Sequence, residues 1–447
     1  MDPALDLSRL SPADKDALIL SLLARIDVLE RKIEELTRPA KTPDNSSTPP
    51  SKAAKPNRSV QKAMRQQRGR PGVGRALTEH PDRLVEARLD ICPHCDSAFP
   101  AAAQTPQAVY DRIELPPIRP DVTRVHLFGG RCTCCGKRAV AAAPAGLRPG
   151  SPFGRSIEAL VVYLHYVQAI GLERLRLVMR DVFGLSISEG ALVNIMARAK
   201  PRLEAEGERI AQAVRGARVV HSDETSARVA GRNWWEWVFV TGEAALHLIR
   251  PSRGAGVPHE VFGDVRPGVW VSDAYGSQRG HAERWQMCLA HLLRDTQYAI
   301  DCGDTVFSQP FKKLLLRAVI IGRRRHSVDD AVRARWRDDL DHRLDRIMAA
   351  APTGYADRKL HRRITRQRAA LFTFVTDLEV PPTNNISERQ LRPSVIFRKV
   401  TNGFRSAWGA ETYAAFRSLV STAKLKEKNV LTAIQHALAA NLAPVGG

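Results

Sequence analysis

Apolar residues at Ile19, Leu22, Ile26, Leu29, Ile33 and Leu36 recur at spacings of three and four, the seam of a coiled-coil helix. Ser11-Pro12-Ala13-Asp14 supplies its start, with Ser11 as N-cap, Pro12 in the first turn and Asp14 three positions on as in a capping box. The helix is expected to stop before Pro39. Self-association competes with a plain amphipathic helix packed on its own chain, because the seam is short. From Pro39 to about Leu77 the pattern disappears into Pro, Ser, Lys, Arg and Gly, which reads as a linker.

Residues 155–212 return to helical spacing. Leu172 to Phe183, a break at Gly184-Leu185-Ser186 and then Ile187 to Ala199 outline a helix-turn-helix, with Ser188 as N-cap of the second helix. The second helix carries few side chains suited to reading bases, so an ordinary helical pair packed beside the next domain is preferred. From Ala217 the period changes to two. Strands are expected at Ala217 to Ser222, around Trp235, Trp237 and Phe239, at Leu246 to Arg250 and at Gly268 to Ser272, with a short helix at Val257 to Phe262 before the last. By alternation the Trp234-Trp235-Trp237 group is mostly core, with one outward ring available to an unpaired base.

Composition narrows the function. The chain has 447 residues, 44% of them hydrophobic, so it folds into more than one domain. Sixty-eight Lys and Arg against 47 Asp and Glu give a net charge of +21 and make nucleic acid the first partner to consider. The linker concentrates this charge: between Asn45 and Thr78 lie eight Lys or Arg and no acid. Arg68 and Arg70, in Arg68-Gly69-Arg70-Pro71-Gly72, suit a flat arm in a minor groove, unless the stretch is only a solvated tether. No stretch is apolar enough to span a bilayer and no signal peptide opens the chain, so a soluble cytoplasmic protein is expected, with no membrane partner.

The cysteines cluster as Cys92/Cys95 and Cys132/Cys134/Cys135. Cys92-x2-Cys95 and Cys132-x2-Cys135 have the spacing of a tetrahedral structural zinc site, and the 36 residues between the pairs leave room for a few strands. Cys134 either replaces a neighbouring ligand or sits beside the site.

Acids carry the candidate chemistry. Asp223 and Asp273 end the first and last expected strands, which parallel pairing would set side by side. Asn384-Asn385-Ile386-Ser387-Glu388 opens a helix whose first turn can bring in a third carboxylate. Three such groups suit two hard divalent cations, Mg2+ or Mn2+, acting on phosphodiesters. Each has a plainer alternative: the aspartates as turn acids bonding their own backbone, and Glu388 as the N3 partner of an Asn385 cap.

The order of Asp223-Glu224-Thr225, Asp273-Ala274-Tyr275, Cys288-Leu289-Ala290-His291-x2-Arg294, Asn384-Asn385-x2-Glu388-Arg389-x2-Arg392-Pro393 and Arg398-Lys399-Val400-Thr401-Asn402-Gly403-Phe404 resembles transposases of the insertion-sequence-66 family. Ser418-Leu419-x2-Thr422-Ala423-Lys424, the amino-terminal helix, the Ser46-Ser47-Thr48-Pro49-Pro50-Ser51 linker and the paired cysteines are similar too, so the likeness spans nearly the whole chain. It departs at Arg70-Pro71-Gly72-Val73 and Val400-Thr401.

The resemblance implies a multidomain α/β protein whose RNase H-like catalytic domain is a mixed sheet with flanking helices and a helical insertion. A coiled-coil helix (1–39), basic flexible linker (40–80), zinc-binding module (81–148) and helical DNA-binding or connecting region (149–212) would precede that domain (213–408, insertion about 300–380). A C-terminal helical region (409–447) would follow. Asp223, Asp273 and Glu388 map onto the three catalytic acids, with two Mg2+ or Mn2+ ions, structural Zn2+, terminal inverted repeats and target DNA, a homodimer or higher oligomer, and helper proteins of the same element as its cofactors and partners. Arg389 and Arg392 would hold the scissile phosphate or screen the acids, unless they form only surface ion pairs. Pro393 should kink or end their helix. Cys288 and His291 read as a packed contact behind the site, with His291 on a backbone carbonyl or the phosphate. Lys312 to Arg368, with 17 basic and 7 acidic residues, reads as a channel wall for DNA. A catalytically silent DNA-binding regulator and an RNase H-like nuclease without strand transfer are the alternatives.

Overall fold

The structure, a computed structural model, describes residues 11–46, 74–304, 306–352 and 354–439. Arg68 and Arg70 lie outside these residues. Contacts divide the chain into two compact units, one of residues 1–53, 124–181 and 185–447 and a smaller one of residues 54–123 and 182–184.

The first unit begins with α1 (Pro12–Thr37), where the Ser11 side chain accepts from the Asp14 N–H at 3.2 Å. The apolar seam of α1 stays about half exposed, from 49% at Leu22 to 79% at Leu36. The chain after it is tied down as far as Ser46: Asn45 Nδ2 donates to Asp301 at 2.9 Å, and the Arg38 guanidinium lies 4.3 Å from the Tyr355 ring. A short hairpin follows, β1 (Gly129–Arg131) and β2 (Arg138–Val140), with Cys132 to Cys135 in its loop. The several strands expected between the cysteine pairs do not form. Among the described residues of the smaller unit, a 3₁₀ turn at Ala101–Ala103 and an isolated bridge from Ile91 to Ala98 are the regular features.

Helix α2 (Arg155–Val162) leads to α3 (Leu172–Phe183) and α4 (Glu189–Arg215). Gly184 takes a left-handed φ of +65° after α3, and the Ser188 hydroxyl caps α4. The second helix does not end at Ala199; it passes Pro201 and buries Leu203, Ile210 and Val214, so it is a core helix.

The central sheet contains β3 (Val219–Val229), β4 (Arg232–Val240), β5 (Ala245–Arg250), then after α5 (Gly256–Phe262), β6 (Val269–Ser272) and β7 (Arg284–Met287), in the order β5-β4-β3-β6-β7. The first three strands are antiparallel, whereas β6 and β7 run parallel to β3. Ala230 and Gly231, with φ of +47° and +76°, make the two-residue turn that matches the twist of the β3–β4 hairpin. Sequence alternation missed β7, whose Arg-Trp-Gln-Met is too short to show a period.

Both faces of the sheet are covered. Val220, Trp237, Phe239 and Trp270 pack against α4 and α5 on one side. Val269, Val271 and Met287 face the helices α6 (Leu289–Asp301), α7 (Ser308–Arg324), α8 (Asp330–Met348), α9 (Tyr355–Gln367) and α10 (Thr373–Thr376) on the other. Each buried aromatic removes roughly 150–250 Å² from water, so the paired Trp and Phe strands anchor this core.

Helix α11 (Asn385–Thr401) crosses the sheet end, and Pro393 neither kinks it to a stop nor ends it. Pro393 donates no N–H to the turn before it, and beyond it a buried network ties the helix to the sheet: Glu236 accepts from Ser394 at 2.6 Å and Arg398 at 2.7 Å, with His247 at 3.0 Å. Burial opposes the Glu236 charge, but these partners outweigh it and hold its carboxyl below the ordinary range. At the helix end Asn402 and Gly403 turn left-handed; a Cβ on Gly403 would come within 2.8 Å of the Arg228 carbonyl. Helix α12 (Ala407–Leu425), followed by α13 (Val430–Ala439), closes the β5 edge. Ser418 and Thr422, one turn apart, accept from the His247 and Ala245 N–H groups at 2.8 and 3.1 Å, so the edge strand has no free donor there.

Candidate active site

The β3–β6 register sets His221 against Val271. Continued two residues, it places Asp223 opposite Asp273, where β6 ends and β3 goes on with β4 alone. The third acid comes from α11. Asn384, fully buried, is its N-cap: Nδ2 donates to the Ser222 carbonyl at 2.8 Å, Oδ1 accepts from Ser387, and the backbone N–H donates to Cys288 Sγ at 3.2 Å. The cap is therefore not Asn385, and Glu388 is not at N3. The capping-box alternative for Glu388 fails, because the side chain of Asn384 is committed to the sheet and none caps the helix.

Asp223 is enclosed. Burial, then the charges of Glu224, Asp273 and Glu388, push its carboxyl well above the ordinary range, and the Glu224 N–H at 2.9 Å only partly offsets them. Asp273 also accepts a local N–H, from Tyr275 at 2.9 Å. The backbone bonds of the turn-acid alternative thus exist, but they leave the Asp223 charge, crowded by three other acids, without a compensating cation. Glu224 shows the contrast. It is the more buried of the two, and burial and then Asp273 raise its pKa as well, but Arg253 pairs with it at 2.7 Å and Gln278 donates to it at 2.5 Å, and both oppose that rise. Arg253 is itself stacked 3.8 Å from the Tyr275 ring and 4.5 Å from the Trp235 ring. Trp235, packed at the margin of the core, is thus covered by the guanidinium that pairs with Glu224.

A cavity of about 210 Å³ opens beside Asp273 and is lined also by His291, Asp295 and Arg363. His291 Nε2 lies 3.8 Å and the Arg294 guanidinium 3.9 Å from the Glu388 carboxylate, beyond hydrogen-bond range. Among the described residues, His291 Nδ1 and Arg294 Nε are buried without a hydrogen-bond partner. His291 therefore does not hold a backbone carbonyl. Burial and then Arg294 lower its pKa, against the raising effect of Asp273 and Glu388, which favours neutral imidazole. Cys288 is buried and bonded to Asn384, the packed contact expected of it. Arg389 and Arg392 are exposed on one face of α11. The roles of Arg294, Arg253 and Asn384 escaped sequence reasoning, although Arg294 and Asn384 stand inside quoted motifs.

Among the described residues, no three His, Cys, Asp or Glu side chains are placed to hold one metal ion. The donor chemistry nevertheless fits hard divalent cations: oxygen ligands, one of them a carboxylate whose charge its acidic neighbours oppose. The cysteines form two turns of one design. Cys92 N–H donates to Ser97 O and Asp96 N–H to Cys92 O, as Cys132 N–H does to Lys137 O and Gly136 N–H to Cys132 O. Asp96 and Gly136 have the matching left-handed φ of 55° and 68°. The Ser97 N–H beside Cys95, and those of Cys135 and Cys134 beside Cys132, hold these two thiols below the ordinary range.

A mixed five-stranded sheet with helices on both faces, and acids where β3 and β6 part, is consistent with an α/β domain of RNase H-like type. Residues 150–412, more than half of the chain, match the family described as Transposase IS66 family, and the chain belongs to it. No curated protein matches the chain. No helix among the described residues is long and apolar enough to cross a membrane.

Proposed function

We propose that this protein is a DNA transposase of the three-carboxylate type, which cuts the ends of an insertion sequence and joins the 3′-hydroxyls to target DNA. The observation that carries this reading is the crowding of half-buried Asp223 by Asp273 and Glu388 with no ion-pair partner of its own among the described residues, in contrast to Glu224 with its arginine. Membership of a transposase family supports DNA as the substrate. Asp223, Asp273 and Glu388 would hold two Mg2+ or Mn2+ ions. Such ions, when bound, supply charge neutralisation at the scissile phosphate and ease deprotonation of the attacking hydroxyl.

The side chains define the remaining tasks. Asn384 fixes the start of α11 on Ser222 and would thereby hold Glu388 toward Asp223. Arg389 and Arg392, exposed one turn apart, would take phosphate oxygens. Neutral His291 would donate to or accept from a group entering the cavity, since its Nδ1 has no partner among the described residues. In cutting, water attacks phosphorus and the 3′-oxygen leaves as a hydroxyl; in joining, that hydroxyl attacks a target phosphodiester and the target's own 3′-oxygen leaves as a hydroxyl. The balance needs no other reactant.

The paired cysteines would take structural zinc, supported by the thiolate-stabilising N–H groups of each turn. Arg68 and Arg70 would follow DNA with the linker. The exposed seam of α1 would pair two subunits, a dimer or larger assembly visible by light scattering on end DNA. Labelled end DNA with Mg2+ and a target plasmid tests the main reading: a silent regulator would bind without cutting, and a plain nuclease would cut without joining a pre-nicked end.

A further inference from the structure

A second cleft, of about 580 Å³, borders β7, α8 and α9. Arg279, Arg284, Arg337 and Arg366 line it, against Glu283 as the one acid in its wall. Asp377 pairs with Arg284 at 2.9 Å and Asp341 with Arg337 at 2.6 Å. Arg279 and Arg366 are exposed, and among the described residues neither has an ion pair with a carboxylate. Two guanidinium groups with unspent charge thus face one recess.

The cleft continues from the acidic site. Arg279 donates to the carbonyl of Ala274, the residue after Asp273, at 2.8 Å. Helix α9 contributes Arg363 to the cavity beside Asp273 and Arg366, one turn on, to the cleft. Trp285, also in the cleft wall, is held by its Nε1–H on Ser272 Oγ at 3.0 Å, and the Arg279 guanidinium lies 5.9 Å from its ring. The Gln367 amide, its oxygen turned inward, also accepts from Arg279 at 2.7 Å but leaves its charge unneutralised. A fixed aromatic ring beside guanidinium groups that have no carboxylate partner is the combination that takes a stacked base together with its phosphates. Duplex DNA hides its bases from such a ring.

We propose that this cleft binds a single DNA strand, holding the phosphodiesters next to the scissile one through Arg279 and Arg366 and stacking a base on Trp285. The inference rests on the transposase reading and specifies the strand path at its site. The full chain in EDTA provides the test, by anisotropy with a blunt end duplex and with the same duplex bearing a single-stranded tail. The double variant Arg279→Ala/Arg366→Ala should bind the tailed probe about tenfold more weakly. Its log–log salt slope should be shallower by about 0.7 per lost arginine contact, while blunt-duplex binding stays unchanged and Arg279→Lys/Arg366→Lys restores the slope. Equal losses on both probes, or none on the tailed one, would overturn the proposal. Arg366→Ala alone, on an exposed helix face, should give about half the slope change if the double variant melts early. Because binding is read without metal, a chain that never cuts DNA yet grips the tail through these arginines would contradict the transposase reading only. A chain that cuts normally with tail binding insensitive to them would contradict this proposal only.

Discussion

The carboxamide of Asn384 donates to the carbonyl of Ser222 at 2.8 Å, and this bond joins the helix bearing Glu388 to the strand bearing Asp223. Both groups are fully buried, so losing the donor strands an acceptor. Asn384→Ala should lower unfolding free energy by about 1–3 kcal/mol and reduce cleavage more than binding of end DNA. Denaturant titration beside cleavage and binding assays checks this; equal cleavage in variant and wild type would show that the bond does not position Glu388.

Asp223 pays an electrostatic cost in the absence of cations. Asp223→Asn should therefore raise stability in EDTA, by on the order of 1 kcal/mol, while Mg2+ raises the melting temperature of the wild type and not of the variant. Calorimetry in EDTA and in Mg2+ reads both effects. A variant less stable than wild type in EDTA would mean that Asp223 is a structural acid after all.

The hydroxyls of Ser418 and Thr422 cap the β5 edge. Ser418→Ala and Thr422→Val should each cost about 1–3 kcal/mol, because each leaves a buried N–H without an acceptor. Neither touches the acids, so cleavage at low temperature should persist. Unchanged denaturation midpoints would show that water or a shifted backbone replaces the hydroxyls.

Asp357, buried beside Asp304 and Ser308, has its pKa raised to about 7, by burial first and then by Asp304. A carboxyl that keeps its proton longer folded than unfolded loses stability as pH rises, here between its ordinary 3.8 and about 7. Asp357→Asn should match wild type near the acid end of that window and exceed it at pH 8. Melting curves across the range test the sign, and a wild type that gains on the variant as pH rises would reverse it.

Strands β3 to β6, the α1 and α4 caps and the place of Asp273 after β6 were legible because period and end residues are local signals. Strand β7 was not, and β3 runs on to Val229, so that Asp223 lies inside a strand and not at its end. Residue spacing also showed that Glu388 begins a helix. What it hid depends on distant partners. Asn384 and Asn385 are chemically alike at a helix start, and only the Ser222 carbonyl selects the first as cap. Glu236 alternates like any solvent-facing strand residue, yet His247, Ser394 and Arg398 converge on it in the core. Alternation sets Asp223 and Glu224 on opposite faces of β3 but does not tell which of them gains a cation. Arg253 decides it, by pairing with one acid and leaving the other.

The most direct measurement is cleavage and joining of labelled end DNA in Mg2+ with a target plasmid, comparing the wild type with folded Asp223→Asn, Asp273→Asn and Glu388→Gln proteins. The wild type should cut and join, and each variant should bind the end yet lose both steps by about three orders of magnitude. Undiminished cleavage by any one of the three would remove that residue from the catalytic centre and contradict the three-carboxylate account.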